Sequence, residues 1–100
     1  MRFEMVAPGE LESFLEKPDV MLIDLRTSQE FTKMHIKTAV NIPFHELNSA
    51  LLPMDATLLL YCERGGLSLN AARELAGIGY RVLSLAGGIH MCPRKMLVGY

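Results

Sequence analysis

The chain has 100 residues, of which 50% are apolar and 21% are charged, with a net charge of −1 at pH 7. This size and composition predict one soluble domain over residues 1–100, with enough apolar residues for a core without disulfides or a metal. Because basic and acidic residues are interspersed and nearly cancel, we expect neither nucleic acid nor a membrane surface as a partner.

The sequence favours a cytoplasmic protein. No apolar stretch reaches the roughly 18 residues that span a bilayer, and the N-terminal segment has an early acid and no long apolar run, unlike a signal peptide. Cys62 and Cys92 are too few for the disulfide framework of a small secreted domain. There is no Cys-x-x-Cys pair and no His/Cys spacing typical of zinc, so we expect no metal and no cofactor.

Short strands and helices alternate through the first half of the chain. Leu11 and Leu15 share one face at helical spacing, whereas the unbroken apolar run over 20–23 is typical of a strand covered on both faces. Thr27 or Ser28 is the candidate N-cap of the next helix. In chain order we predict an extended segment over 3–6, a helix over 8–17, a strand over 20–23, a helix from 28 to about 34, an extended piece over 38–42 and a helical segment over 43–49.

The second half begins with the most apolar strand, over 57–61, which we expect at the centre of a sheet. The strongest helix covers 68–78 and ends before Gly79, a residue type common just after helices. Its buried face is expected to consist of Leu69, Ala72, Leu75, Ala76 and Ile78. The remaining predicted elements are a strand over 81–85, a turn over 86–89 and a closing helix within 90–100.

This alternation of strands and helices through short links predicts an α/β fold, with a mostly parallel central sheet of about five strands and helices on both faces. In such sheets, ligands bind beyond the carboxyl ends of the strands. Cys62 stands at that end of the strand over 57–61, so we expect its thiol at the mouth of the binding site.

A glycine-rich loop joins that strand to the strongest helix. Gly65 and Gly66 allow left-handed backbone angles, which can turn several N–H groups toward one point, and Ser68 is a candidate helix cap. The N-terminus of a helix favours negative charge and therefore the thiolate form of Cys62. Cysteine is also a common buried apolar residue, but that role does not need this loop. The loop therefore predicts an anion site that contains a nucleophile.

The loop resembles that of single-domain rhodaneses, a family of sulfurtransferases. In that family a strand leads to a six-residue loop that starts with the catalytic cysteine, often Cys-x-x-Gly-x-Arg followed by Ser or Ala, and this chain matches at Cys62, Gly65 and Ser68. The likeness extends from about residue 20 to 92 and keeps the family's order. The other matching segments are Ile23-Asp24-Leu25-Arg26, Glu30-Phe31, His35-Ile36, Ala39-Val40-Asn41-Ile42-Pro43, Ala71-Ala72-Arg73-Glu74-Leu75, Gly79-Tyr80 and Leu85-Ala86-Gly87-Gly88-Ile89.

The resemblance implies a rhodanese-like fold and sulfur transfer in two steps. The thiolate of Cys62 takes the sulfane sulfur of a donor (thiosulfate, a persulfide or a polysulfide), and the resulting persulfide passes it to a thiol or another nucleophilic acceptor, which can be a protein. The implied substrate-binding residues are Glu63, Arg64, Gly65, Gly66, Leu67 and Ser68. The implied supporting polar network is Asp24, Arg26, Glu30 and His35.

Three departures from the family pattern, together with the charge of Glu63, predict weak activity with thiosulfate. Met34 stands where the family usually has a glycine before the His-Ile pair. Leu67 replaces the frequent Arg or Thr at the sixth loop position, which removes a donor for an anion. The carboxylate of Glu63 disfavours a neighbouring thiolate and repels thiosulfate. Met91-Cys92 replaces an aromatic residue after the Gly-Gly turn. Arg64, the cation of the loop, is either an anion ligand or a solvated surface residue. The alternative function is a catalytically weak sulfur-carrier or protein-interaction module.

Two further interpretations have less support. A related phosphatase or arsenate reductase needs an arginine six positions after the cysteine to clamp an oxyanion, and Ser68 occupies that position. Cys92 is either a second thiol acting with Cys62 or, more in keeping with the burial habits of cysteine, a core filler.

Overall fold

The computed structural model describes residues 3–49 and 51–99 and shows the α/β architecture expected from the sequence. Its strands are β1 Glu4–Val6, β2 Val20–Asp24, β3 Met34–Ile36, β4 Val40–Asn41, β5 Thr57–Tyr61, β6 Arg81–Leu85 and β7 Leu97–Gly99. The α-helices are α1 Leu11–Leu15, α2 Ser28–Lys33 and α3 Gly66–Ile78. Short 3-10 segments cover Pro8–Glu10, Phe44–Ser49, Gly88–Met91 and Arg94–Met96.

The central sheet, within the described part of the chain, has five parallel strands in the order β1-β6-β5-β2-β4. The apolar strand β5 lies in the middle, as predicted. It pairs with β2 over their whole length, from Val20 opposite Thr57 to Asp24 opposite Tyr61. The carboxyl ends of the two strands therefore meet, and the residues that follow them come together at one edge of the sheet.

The core covers both faces of this sheet. Along β5 the side chains alternate: Leu58 and Leu60 pack in the cluster that contains the buried residues of α3, whereas Leu59 and Tyr61 pack in a second cluster with Leu11 of α1. The expected helices on both faces are thus confirmed. The helix predicted over 8–17 is shorter, because a 3-10 turn precedes α1 and the α-helical part ends at Leu15.

The helix α3 packs on the sheet through small side chains, which let its axis lie close to the strands. Its buried residues are Ser68, Ala71, Ala72, Leu75 and Ala76. The prediction for Ile78 is wrong: this last residue of the helix is 69% exposed and borders a cavity with Leu52 and Tyr80. Gly79 ends the helix as predicted, with a φ of 120°.

The helix α2 starts at the predicted N-cap, Thr27. The Thr27 hydroxyl accepts a hydrogen bond from the Glu30 N–H at 3.2 Å, and the Glu30 carboxylate accepts one from the Thr27 N–H at 3.0 Å. This backbone hydrogen bond is the main reason that the pKa of Glu30 is lowered. The contribution of Glu30 to stability is therefore fully present near neutral pH and is lost as the pH falls through that lowered pKa.

The closing helix predicted within 90–100 is wrong over the described residues. After the 3-10 segments, β7 pairs antiparallel with β3. The sequence pattern had assigned only the first residue of β3 to the end of a helix and the other two to no element. The hydroxyl of Tyr61 fixes β3 to the main sheet by accepting a hydrogen bond from the Ile36 N–H at 3.0 Å. Burial, and then the hydrogen bond to Asp24, raises the pKa of Tyr61 well above its usual range, so this hydroxyl stays protonated. None of the described helices is long and apolar enough to cross a membrane.

Candidate active site

Cys62 follows the central strand β5 and stands at the carboxyl edge of the sheet, as the sequence predicted. Its carbonyl accepts a hydrogen bond from the Ile89 N–H at 2.9 Å, which joins the loop to the turn after β6. The residue is 3% exposed, yet it lines a cavity that opens to solvent. The sulfur is therefore held by the fold but remains within reach of a small molecule.

Two backbone N–H groups point at the sulfur. The Gly65 N–H donates to Cys62 Sγ at 3.1 Å, and the Ser68 N–H donates to it at 3.4 Å. Both groups belong to the N-terminal end of the 13-residue helix α3, where N–H groups lack intrahelical partners and the dipole is positive. This geometry stabilises negative charge on the sulfur.

The loop achieves this geometry in a different way from the one predicted. Gly65 alone takes the left-handed conformation, with a φ of 106°, and serves as the N-cap of α3. Gly66 is already the first helical residue, so its expected left-handed angle is wrong. Ser68 is the third residue of the helix and not its cap. The helix begins two residues early because the turn at Gly65 brings the chain into helical geometry at once.

The side chain of Ser68 connects the sulfur to a buried hydroxyl. Ser68 Oγ lies 3.7 Å from Cys62 Sγ, donates to the Gly65 carbonyl at 3.1 Å and pairs with Ser84 Oγ at 2.9 Å. Ser84 is fully buried on β6. The sequence analysis missed Ser84, although a polar residue at a core-facing position of an apolar strand was a usable signal.

The cavity beside Cys62 has a volume of about 610 Å³, and its wall is mainly apolar. Leu25, Pro43 and Phe44 line one part of it, and Leu67, which is 44% exposed, lines another. The sequence analysis had not assigned Phe44 to the site. No local sequence pattern identifies Phe44 as part of the site, because the segment after β4 comes close to Cys62 only in the folded protein.

Arg26, which lines the cavity, forms a buried ion pair with Asp24, and both belong to the polar network that the resemblance implied. Arg26 Nη2 lies 2.9 Å from Asp24 Oδ2, and the two side chains are 6% and 0% exposed. Arg26 also donates to the carbonyl of Met34. Burial by itself lowers the pKa of Arg26, but the hydrogen bonds and charge of Asp24 outweigh it and raise that pKa. The guanidinium is therefore a permanent cation that is already bound.

The carboxylate of the acidic loop residue Glu63 lies near Arg26 and His90. Its oxygens lie 3.7 Å from Arg26 Nη1 and 3.9 Å from His90 Nδ1. Arg64 is exposed and lines the cavity, and in the described part of the chain its guanidinium makes no ion pair. The repulsion expected from Glu63 is thus reduced by Arg26, and Arg64 is the cation that remains available to a ligand.

Glu30 and His35 contribute less to the network than the resemblance implied. Glu30 lines the cavity and caps α2. His35 stacks on Phe31 with ring centroids 3.9 Å apart, and its Nδ1 lies 2.9 Å from the Phe31 carbonyl. Among the described residues no hydrogen bond joins His35 to the Arg26–Asp24 pair.

Cys92 lies in the core cluster on the opposite face of the sheet from Cys62. Burial raises the pKa of Cys92 to about 11, and its thiol donates to the Pro93 carbonyl at 3.5 Å. Both cysteines are free. A protonated thiol in an apolar cluster fits a core filler better than a second reactive group. The described residues contain no group of three or more His, Cys, Asp or Glu placed to hold a metal.

Replacing Arg26 with methionine is expected to lower the free energy of unfolding by about 3–5 kcal/mol, because it leaves the carboxylate of Asp24 buried without its partner. The measurement is urea unfolding followed by circular dichroism. Arg73→Met, at an exposed position of α3, is the matched control and should change stability by less than about 0.5 kcal/mol. Equal effects of the two substitutions would contradict a structural role for the pair.

Comparison with known proteins identifies the family. Residues 7–91 match the family model of the rhodanese-like domain. A tRNA sulfurtransferase of Desulfurococcus amylolyticus is 37% identical over 87 residues, which cover 86% of this chain and 18% of that protein. A sulfurtransferase of Allochromatium vinosum is 38% identical over 74 residues, which cover 71% of this chain and 69% of that protein.

A solved structure has the same fold as this chain. A rhodanese-like domain protein of Staphylococcus aureus shares the fold, with a TM-score of 0.85 at 23% identity over 98% of this chain and 99% of that one. This chain spans less than a fifth of the D. amylolyticus protein, so the match there is to one domain of a larger protein. On the family-model match and these likenesses, the chain belongs to the rhodanese-like domain family.

Proposed function

We propose that this chain is a sulfurtransferase that moves a sulfane sulfur through a persulfide on Cys62 to a thiol or another nucleophilic acceptor. The observation that carries the proposal is the position of Cys62 Sγ, which accepts hydrogen bonds from two N–H groups at the N-terminus of α3 and borders an open cavity. The names of the two relatives, both called sulfurtransferases, support it.

In the first step the thiolate of Cys62 attacks the outer sulfur of the donor. A bond forms between the two sulfurs, the donor's own bond to that sulfur breaks, and the electron pair leaves with the rest of the donor. The N–H groups of Gly65 and Ser68 stabilise the thiolate before the attack and the persulfide after it, as an oxyanion hole stabilises charge. The Ser68 hydroxyl can also turn toward the sulfur when Ser84 donates to it.

In the second step an acceptor thiolate attacks the outer sulfur of the persulfide and releases the Cys62 thiolate. The attack needs access from the cavity, since the other side of Cys62 packs against the core. The cavity beside Cys62 is open to solvent, so a small thiol, or a cysteine of a protein, is the proposed acceptor. We propose thiosulfate, persulfides and polysulfides as donors, with Arg64 as the anion ligand of the loop.

The match over residues 7–91 supports treating residues 1–100 as a single rhodanese-like domain. Two free cysteines are usual for proteins in a reducing compartment, which supports the cytoplasm as its location. The alternative is a catalytically weak sulfur-carrier or protein-interaction module. Two features favour it, namely Leu67 at the position where the family frequently has Arg or Thr, and the acidic Glu63 beside Cys62.

Sulfur loading followed by mass spectrometry tests the function. After incubation with thiosulfate or polysulfide, we expect an adduct with the mass of one sulfur atom on the peptide that contains Cys62 and none on the peptide that contains Cys92. Addition of a thiol acceptor should discharge the adduct. An adduct that the acceptor leaves in place would indicate a carrier, and the absence of any adduct would indicate a binding module.

A further inference from the structure

The cavity beside Cys62 is much larger than the transfer of sulfur from thiosulfate requires. Its volume is about 610 Å³, whereas a water molecule occupies about 30 Å³ in the liquid, so an ion of five heavy atoms fills only a small part of it. Its apolar lining includes Leu25, Pro43, Phe44 and Leu67. A wall of this kind gains free energy by covering apolar surface and gains none from a hydrated inorganic anion.

The charges around the cavity nearly cancel. Arg26 and Arg64 are opposed by Glu30 and Glu63, two of each sign, and Arg26 is already bound to Asp24. A doubly charged anion therefore meets little net attraction and loses its hydration shell on entry. A donor with one charge or none loses less and can place an organic group against the apolar wall.

We propose that this cavity binds the apolar organic group of a sulfane-sulfur donor that carries at most one negative charge, such as an aryl or branched alkyl thiosulfonate or persulfide. The proposal rests on the proposed function and specifies its donor. With a thiosulfonate, R–SO₂–S⁻, the Cys62 thiolate attacks the terminal sulfur, the S–S bond breaks, and the electron pair leaves on the sulfinate R–SO₂⁻. The charge is conserved, and Cys62 keeps the sulfur as a persulfide anion.

A second cavity adjoins the first. It has a volume of about 440 Å³ and shares Phe44 and His45 with the first. Leu52 and Ile78 contribute further apolar surface there, and Ile78 is exposed at the end of α3. Apolar surface therefore lies on both sides of these two shared residues.

Matched donors test the proposal. Benzenethiosulfonate and methanethiosulfonate carry the same charge and the same reactive group, and they differ in the size of the apolar group and in intrinsic reactivity. Each kcat/KM is divided by the rate at which the same donor reacts with cysteine in solution, which removes intrinsic reactivity. We expect the normalised value to be about tenfold higher for the aryl donor, which corresponds to about 1.4 kcal/mol, and lowest for thiosulfate.

Variants of Leu67 test whether the cavity wall causes the preference for the aryl donor. Leu67→Ala keeps the backbone N–H groups of the loop and should reduce the aryl preference about threefold, whereas Leu51→Ala, at a leucine that is 99% exposed, should leave it unchanged. Leu67→Arg should raise the rate with thiosulfate relative to methanethiosulfonate. An aryl preference below twofold, or one that Leu67→Ala does not reduce, overturns the inference while sulfur loading of Cys62 continues. Failure of all three donors to load Cys62 instead overturns the proposed function.

Discussion

Replacing Cys62 with serine is expected to lower kcat/KM for sulfur transfer by at least about a thousandfold and to leave the fold intact. A hydroxyl is protonated at neutral pH and is a far weaker nucleophile than a thiolate, so the first covalent step is lost. The serine Oγ can still accept hydrogen bonds from Gly65 and Ser68, which preserves the loop. The measurement is transfer from thiosulfate, and from an organic thiosulfonate, to cyanide or a thiol, with unfolding in urea as the check on folding.

Cys92→Ser is the matched control for this variant. Cys92 lies in the core cluster on the far face of the sheet, so its replacement should reduce stability slightly and leave the rate of transfer nearly unchanged. If Cys62→Ser retained full activity, another group would have to carry the sulfur. If Cys92→Ser lost activity as completely as Cys62→Ser while remaining folded, the assignment of a single nucleophile would be wrong.

The sequence was sufficient to predict the fold and the position of Cys62 because both depend on local patterns. The apolar run over 57–61 identified the central strand, and the glycine-rich loop after it identified a helix N-terminus beside a thiol. The place of the site then followed from a general property of parallel sheets, whose loops at the carboxyl edge converge. No distant contact had to be known for these steps.

The errors around β3, β7 and Glu63 have a common physical cause, which is contact between distant segments. Residues 34–36 and 97–99 pair as strands although more than half of the chain separates them. Neither segment has a periodic pattern that predicts the pairing. The approach of Arg26 and His90 to Glu63 has the same origin. The expectation that Glu63 weakens the thiolate treated its charge as isolated, whereas the fold supplies two partners for it.

The position of the site also depends on the turn after β6. In the sequence this turn was only one of the segments that resemble the family, and its contact with the Cys62 loop was not predicted. The Ile89 N–H donates to the carbonyl of Cys62 at 2.9 Å, and the His90 N–H donates to the carbonyl of Glu63 at 3.2 Å. These two bonds fix the start of the loop against the turn. Gly88 immediately precedes Ile89, has a φ of 65° and lies with its backbone against both carbonyls.

Replacing Gly88 with alanine is therefore expected to lower the free energy of unfolding by more than about 3 kcal/mol and to abolish most of the sulfur transfer. A Cβ at this position would lie 2.5 Å from the carbonyl oxygens of both Cys62 and Glu63, and the atoms in contact are backbone, which has little freedom to move aside. The left-handed angle adds a further cost for any residue with a Cβ. Relief of the clash requires the Cys62 loop to separate from the turn, which moves Sγ away from the N-terminus of α3.

Gly77→Ala is the control, because it is expected to change the free energy of unfolding in the opposite direction. Gly77 lies within α3, and a Cβ there has no neighbour within 4 Å, so the same substitution should stabilise the protein by about 0.5–1 kcal/mol through the higher helix propensity of alanine. Urea unfolding and sulfur loading of both variants separate the two effects. A Gly88→Ala protein that unfolds at the wild-type midpoint and loads sulfur at the wild-type rate would show that the turn does not hold the loop. The expected divergence of the two variants would show that the geometry of the thiol site is set by backbone contact with the turn as well as by the residues of the loop itself.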